Sequence, residues 1–318
     1  MIGNVLKSLG GAKMADRATV YRDLMNTHQW EQSEDLPASL PVKGDRSTYM
    51  RVSALGYLCP RLESIKIAEK FAITGSLDPE SAYTFMLGHH HHSMMQDSLV
   101  PTILQDRMRG WWKFGKATAS SWASVGMPDL LPKPDKRRWK YEELYAFDDN
   151  FFVHGHPDMV LDWTGSGVPG TPDACEVQEY KTKDPTIWAA IDPDQGGYPD
   201  PVHVIQTQAY MWLLGLDHGR IVYIKKGERR IQEAFVEWPL RRDPDVVNGI
   251  QSLLATYWDS VTAAHAGRTW YEHRLPKCSE FSKGRAAGCP ARYECHGKGW
   301  KKERTDIRRL TPEELAAK

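Results

Sequence analysis

Apolar and polar positions alternate along this chain with two different periods, and the switches between them outline the elements. After Pro60 the apolar residues recur at Leu62, Ile65, Ala68 and Phe71, which predicts a helix within Ser53–Phe71 that Ser53 could cap. Asp78-Pro79-Glu80 reads as a second helix start, with proline near the first turn and an apolar face that Pro101 interrupts. From Arg138 to Trp163 the period becomes that of extended chain; a Gly/Pro/Thr-rich loop follows up to Ala174, and Cys175–Lys181 returns as a strand. A helix from His203, ended by Gly215 or Gly219, precedes strands at Ile221–Ile224 and Ile231–Trp238 and a further helix over Asp245–Ala266. The start of the chain carries an amphipathic patch at Thr19–Trp30 and then a linker with Pro37 and Pro41, whereas Leu275–Trp300 has no persistent period. Strands in one central run with helices on both sides predict an α/β protein with a mixed central sheet rather than a doubly wound parallel one.

Composition narrows this picture modestly. The 318 residues carry 41 Lys+Arg against 41 Asp+Glu, with 41% hydrophobic residues and five cysteines. No stretch approaches a membrane span, and Met1–Asp16 lacks the pattern of a signal peptide, so a cytoplasmic chain without membrane contact and with reduced cysteines is expected. A net charge of zero excludes indiscriminate attraction to nucleic acid. Charge is uneven, however: Arg268–Arg309 holds 12 Lys/Arg and 5 Asp/Glu, a balance of 12 − 5 = +7. That end fits either contact with a polyanion or a solvated basic tail.

The chemistry concentrates in the middle. Side chains alternate along a strand, so Glu179 and Lys181 share a face, and a hairpin-like return through the Gly/Pro loop can bring Asp158 beside them. A carboxylate pair suffices to hold a hard divalent cation such as Mg²⁺, and a lysine beside it can orient water or stabilise an oxyanion. As a bare spacing this also fits a surface strand with an ion pair. The flanking Met159-Val160-Leu161, Cys175 and Val177 put the carboxylates at the edge of a buried sheet, where charged groups are rarely left without a partner or a task.

These residues resemble the RecB-like branch of the PD-(D/E)XK nucleases, of the iron–sulfur type that includes CRISPR-associated and phage exonucleases. The matching pieces are Gly155-His-Pro-Asp158, Glu179-Tyr-Lys181, Gly88-x-x-x-His92 and Gln206-x-x-x-Tyr210. The resemblance implies a restriction-endonuclease-like core with Asp158, Glu179 and Lys181 catalytic. It also implies Mg²⁺ or Mn²⁺ held by His92, Asp158 and Glu179, and Gln206 and Tyr210 near the DNA on one helix face. His92 is the last of four consecutive histidines, His89 to His92, of which one or two can face a site.

The same resemblance implies a helical lobe bearing a [4Fe–4S] cluster on Cys59, Cys278, Cys289 and Cys295, which would clamp the chain ends together. Five residues separate Cys289 from Cys295, as in the family, but ten separate Cys278 from Cys289 where the family has two. A four-cysteine zinc site and free core cysteines stay open as readings. Cys175, on the Glu179 side of its strand, is expected to pack.

The division expected is an N-terminal extension over 1–50, a nuclease core with the first cluster cysteine over 51–266, and an iron–sulfur segment with a basic tail over 267–318. The implied activity is a metal-dependent DNA exonuclease acting on single-stranded ends, with 5′ to 3′ polarity, in phage or bacterial DNA recombination, repair or processing. The basic tail and Trp111, Trp112, Trp270 and Trp300 could then supply phosphate contacts and stacking, and a recombinase or single-strand-binding protein is the expected protein partner. An endonuclease, a CRISPR-type DNA-trimming nuclease, or a DNA-binding scaffold with a degenerate site are the alternatives.

Overall fold

The computed structural model describes residues 32–76, 79–104, 106–109, 111–114, 117–118, 140–268 and 307–316. Its centre is a five-stranded mixed sheet built from β1 (Met108–Arg109), β2 (Met159–Asp162), β3 (Cys175–Lys183), β4 (His218–Lys225) and β5 (Phe235–Arg241). The spatial order is β5-β4-β3-β2-β1, with β3 and β4 parallel and the other pairs antiparallel. Helices lie on both sides, as the element pattern predicts.

Four helices carry most of the packing: α1 (Pro60–Glu69), α2 (Pro79–Ser93), α3 (Pro201–Leu214) and α4 (Pro244–His265). Helix α3 is the crossover between the two parallel strands, as that geometry requires. Asp200 caps its first turn by accepting from the Val202 N–H at 3.1 Å, Pro201 takes the position where a missing N–H costs nothing, and Gly215 ends it at φ 66°. Ala209, Tyr210, Met211 and Leu214 of α3 pack with Val160 and Val177 of the sheet and with Ile250 and Leu254 of α4. On the opposite face Tyr180, Met159, Leu161, Val222 and Ile224 pack under Met95 and Val100.

Three expectations change in detail. Ser53 caps nothing: Val52–Tyr57 is a 3₁₀ turn, and α1 begins after Cys59, whose Sγ accepts the Leu62 N–H at 3.4 Å. Pro101 does not end its helix, because Met94–Leu99 is a π-helical segment and Val100–Leu104 continues beyond it. The widened turn shifts the hydrogen-bond ladder just before the residue that lacks a donor. Ile231–Ala234 is a helical turn rather than strand, so β5 starts at Phe235.

Three small sheets complete the description. Met50–Arg51, Val153–Gly155 and Ala146–Asp148 form one, whose inner side chains join the α3 core. Trp111–Phe114 pairs with Ala117–Thr118 and Lys140–Glu142. In the last, Phe71–Ser76 lies between Gln32–Asp35 and Ile307–Arg309 and pairs with both, which brings an early and a late strand beside the end of α1. The expected helix at Thr19–Trp30, the side chains of Trp111 and Trp112, and Trp270, Trp300, Cys278, Cys289 and Cys295 lie outside the described residues. Among the described residues no helix is long and apolar enough to cross a membrane.

Candidate active site

The hairpin-like return forms. In the β2–β3 register Met159 pairs with Gln178, which sets Asp158, one residue before β2, across from Glu179. Both carboxylates are buried. Asp158 Oδ2 accepts the Tyr180 backbone N–H at 2.7 Å. Glu179 Oε1 lies 2.6 Å from the Lys181 ammonium, while Glu179 Oε2 is buried with no hydrogen-bond partner.

Helix α2 contributes His92. Its Nε2 lies 2.8 Å from the Tyr180 carbonyl oxygen, which can only accept, so Nε2 carries a hydrogen. In the neutral ring Nδ1 then presents its lone pair toward Asp158 Oδ1, 3.3 Å away. That is how a metal-ligating histidine is oriented, with its second nitrogen tied to a carbonyl. Of the other histidines in the run, His89 and His90 are exposed, and His91 Nδ1 bonds back to the Leu87 carbonyl at 2.7 Å.

A carboxylate that the sequence did not single out completes the group. Ligand atoms of His92, Glu143 and Asp158 lie within 4.8 Å of one another. Gln96, on the π-helical segment, donates to Glu143 Oε1 at 2.7 Å and to the Asp158 carbonyl at 2.9 Å, fixing both. The compact trio is therefore His92, Glu143 and Asp158, with Glu179 beside it and facing Lys181. Glu143 belongs to no motif; its only sequence signal is that it falls inside the extended stretch Arg138–Asp149.

Electrostatics set these acids apart from surface carboxylates. Burial pushes Asp158 up to about 7, against the pull of Lys181 and the Tyr180 N–H. Burial and the neighbouring Asp158 push Glu179 up to about 8. Burial alone would lower the Lys181 ammonium, but the Glu179 and Asp158 carboxylates hold it above the ordinary lysine value. Ionising both acids out of water calls for compensating positive charge, of which Lys181 supplies one, and Glu179 Oε2 is a buried oxygen without a hydrogen-bond partner. A hard divalent ion such as Mg²⁺ or Mn²⁺ fits this donor set of carboxylate oxygens and one imidazole.

Gln206 and Tyr210 reach the same place from α3. Both are buried, and Gln206 hydrogen-bonds the Tyr210 hydroxyl, whose ionisation is pushed well up by burial and by Glu179 and Asp158. His203, one turn earlier on this face, was not anticipated. Its ring packs on Tyr223 and bonds the Tyr223 hydroxyl at 3.0 Å, and burial together with Lys181 and Lys183 holds it down to about 3. Lys183, next on the Glu179–Lys181 face, pairs with Asp200 at 3.1 Å.

Of the four expected cluster ligands only Cys59 is among the described residues, half-buried at the start of α1. Cys175 packs at the margin of the α3 core, as anticipated for a filler, although it is half-buried rather than enclosed.

The sequence matches no protein-family model and no curated protein. Similar solved structures include an alkaline exonuclease from Laribacter hongkongensis, 11% identical over 69% of this chain and 90% of that one, TM-score 0.38. The same enzyme in complex with dAMP is similar at 11% identity over 70% of this chain and 92% of that one, TM-score 0.38. A phage related exonuclease from Haemophilus somnus 129PT is 12% identical over 70% of this chain and 99% of that one, TM-score 0.38.

Proposed function

We propose that this protein is a divalent-metal-dependent deoxyribonuclease that hydrolyses DNA from single-stranded ends. The observation that carries the reading is the buried Asp158–Glu179 pair with one orphaned oxygen, set beside Lys181 and the His92–Glu143 ligands. A divalent cation held there by His92, Glu143, Asp158 and Glu179 would stabilise charge developing on the phosphate and make a bound water more acidic. The chain's own groups have separate tasks. Lys181, held protonated by Glu179, orients the attacking water and offers positive charge to the phosphate oxygens. Tyr210 keeps its proton and remains a hydrogen-bond donor, positioned by Gln206. The Gln96 amide fixes Glu143, and the hydrophobic walls keep bulk water from competing.

In this reading 51–266 is the nuclease core, 1–50 an extension, and 267–318 a [4Fe–4S] segment with a basic tail, in which Cys59 joins Cys278, Cys289 and Cys295. The antiparallel pairing of Ile307–Arg309 with the strand after α1 supports a lobe that ties the two ends together. Polarity from 5′ to 3′, cytoplasmic residence, and a recombinase or single-strand-binding partner belong to the same proposal. Digestion of end-labelled linear and circular single-stranded DNA with Mg²⁺ or Mn²⁺ tests it. Mononucleotides released from linear DNA alone are the expected result. Cleavage of circles would assign an endonuclease, and no cleavage with DNA retained would assign a binding scaffold.

A further inference from the structure

The sheet of Met50–Arg51, Val153–Gly155 and Ala146–Asp148 uses only one face for the core. Leu144, Ala146, Val153 and Gly155 are buried, and the alternate residues Tyr145, Phe147, His154 and His156 are partly or fully exposed on the other side. Phe147 stands directly across from His154. The Tyr145 ring lies 5.7 Å from Phe147, 5.5 Å from His154 and 4.9 Å from His156, so the four rings form one continuous ladder. Arg46 lies over its end, the guanidinium carbon 3.5 Å from the Phe147 ring centroid and 5.8 Å from that of Tyr145. Asp149, which accepts the Tyr49 hydroxyl at 2.9 Å, forms an ion pair with that guanidinium at 3.5 Å from Arg46 Nε.

Cross-strand aromatic pairs stabilise sheets by themselves. Two features go beyond that role. The ladder is capped by a guanidinium that is 35% exposed, with the exposed Arg51 on the adjoining strand, so its outer surface is aromatic and cationic, with the rings tilted by 33–53° against one another. Its strands also run directly into the candidate active site: Glu143 is two residues before Tyr145, and Asp158 two residues after His156. Two residues of extended chain span roughly 7 Å. Burial, with the positive charge of His156, Arg51 and Arg46, also lowers the His154 imidazole below its ordinary value, which favours an uncharged ring.

Resting on the nuclease reading of the neighbouring site, we propose that this face is a stacking platform for the unpaired bases of a single DNA strand entering the site. Rings and guanidinium planes stack on any base, and Arg46 and Arg51 complement the phosphates, so the platform selects unpaired DNA without reading its sequence. It also supplies a physical reason for single-strand preference, because paired bases cannot offer their faces.

The test uses the full-length protein in EDTA, titrated with fluorescent oligothymidylate and with an abasic oligomer of equal length and phosphate count. Wild type binds oligothymidylate about tenfold more tightly than the abasic oligomer. Tyr145→Leu and Phe147→Leu each remove about that factor for oligothymidylate only, and Tyr145→Phe restores it. Should Phe147→Leu fail to fold, His156→Ala, at the exposed end of the ladder, reads the same preference. Equal wild-type affinity for the two oligomers, or leucine variants that bind oligothymidylate unchanged, overturns the platform, including the case in which a protein partner occupies this face. Hydrolysis is scored separately with Mn²⁺. Base-dependent binding without hydrolysis refutes the nuclease reading alone, and hydrolysis with base-independent binding refutes the platform alone.

Discussion

Asp158 and Glu179 face each other across an antiparallel strand pair with unequal satisfaction. Asp158 Oδ2 accepts the Tyr180 N–H and its Oδ1 lies 3.3 Å from His92 Nδ1, whereas Glu179 spends one oxygen on Lys181 and keeps the other buried and unpaired. An unsatisfied buried carboxylate oxygen is a stability cost, and a bound divalent cation, as proposed above, would offset it.

Replacing that oxygen therefore separates stability from activity. Glu179→Gln should lower DNA cleavage at least about a hundredfold, yet stabilise the metal-free protein at pH 8 by about 1 kcal/mol, a few degrees in Tm. Lys181→Ala should abolish turnover with little change in DNA affinity. Unfolding curves and single-turnover cleavage, measured on the same preparations, check both; wild-type turnover in Lys181→Ala would remove that residue from the chemistry.

Glu143 offers the sharpest test of the ligand set. If it binds the cation, Glu143→Gln weakens Mn²⁺ affinity about 10- to 100-fold, and Gln96→Ala, which frees Glu143 and the Asp158 carbonyl, does so less. Calorimetric titration with Mn²⁺ measures this without DNA. His92→Ala should behave like Glu143→Gln, and His89→Ala and His90→Ala, both exposed, should leave affinity unchanged.

The raised acids predict how the metal-free protein responds to pH. A carboxyl whose folded value lies above its unfolded one binds more protons in the native state, so its stability contribution is full at low pH and is lost as pH rises through the folded value. With Asp158 raised from 3.8 to about 7 and Glu179 from 4.5 to about 8, stability should fall from about pH 4 and level off by about pH 8. The slope is at most about 1.4 kcal/mol per pH unit for each group. His203 acts in the opposite sense: held down to about 3, it lends stability that is lost as pH drops below the ordinary imidazole value. Mg²⁺ should abolish the loss that the two carboxyls cause as pH rises and leave the loss that His203 causes as pH falls. Denaturant unfolding across pH, with and without Mg²⁺, checks the sign.

Gly155 links the core to the site through space alone. A Cβ there would come within 2.9 Å of both Tyr210 Cε1 and Val52 Cβ. Gly155→Ala should cost about 1–3 kcal/mol and move the Tyr210 ring, lowering turnover more than a neutral surface change would. Thermal unfolding and cleavage by Gly155→Ala together with Tyr210→Phe test the connection.

For the cysteines, Cys59→Ser, Cys278→Ser, Cys289→Ser and Cys295→Ser should each lose iron and the visible absorbance, and Cys175→Ser should not. Iron retained by Cys59→Ser would remove the early ligand from the scheme. Zinc without iron or sulfide, in wild type purified anaerobically, would favour the zinc reading.

Local pattern determined much of this protein. Strand parity alone placed Glu179 and Lys181 on one face, the Gly/Pro loop allowed the return that sets Asp158 opposite them, and helical spacing put Gln206 and Tyr210 together. The helices expected from His203 and over Asp245–Ala266 form, and begin slightly earlier at Pro201 and Pro244, where Asp200 and Asp243 cap the first turn. The π-helical segment that carries Gln96, the convergence of Glu143 with His92, and the Tyr145–Arg46 ladder follow no local rule, since each joins residues from different elements. Ile231–Ala234 reads as strand by composition and coils instead, and Pro101 continues a helix it should break. Propensity and periodicity act over one or two turns of chain, but burial, the pairing of charges and the choice of a ligand set are settled by whatever the packed sheet and helices bring within a few ångströms.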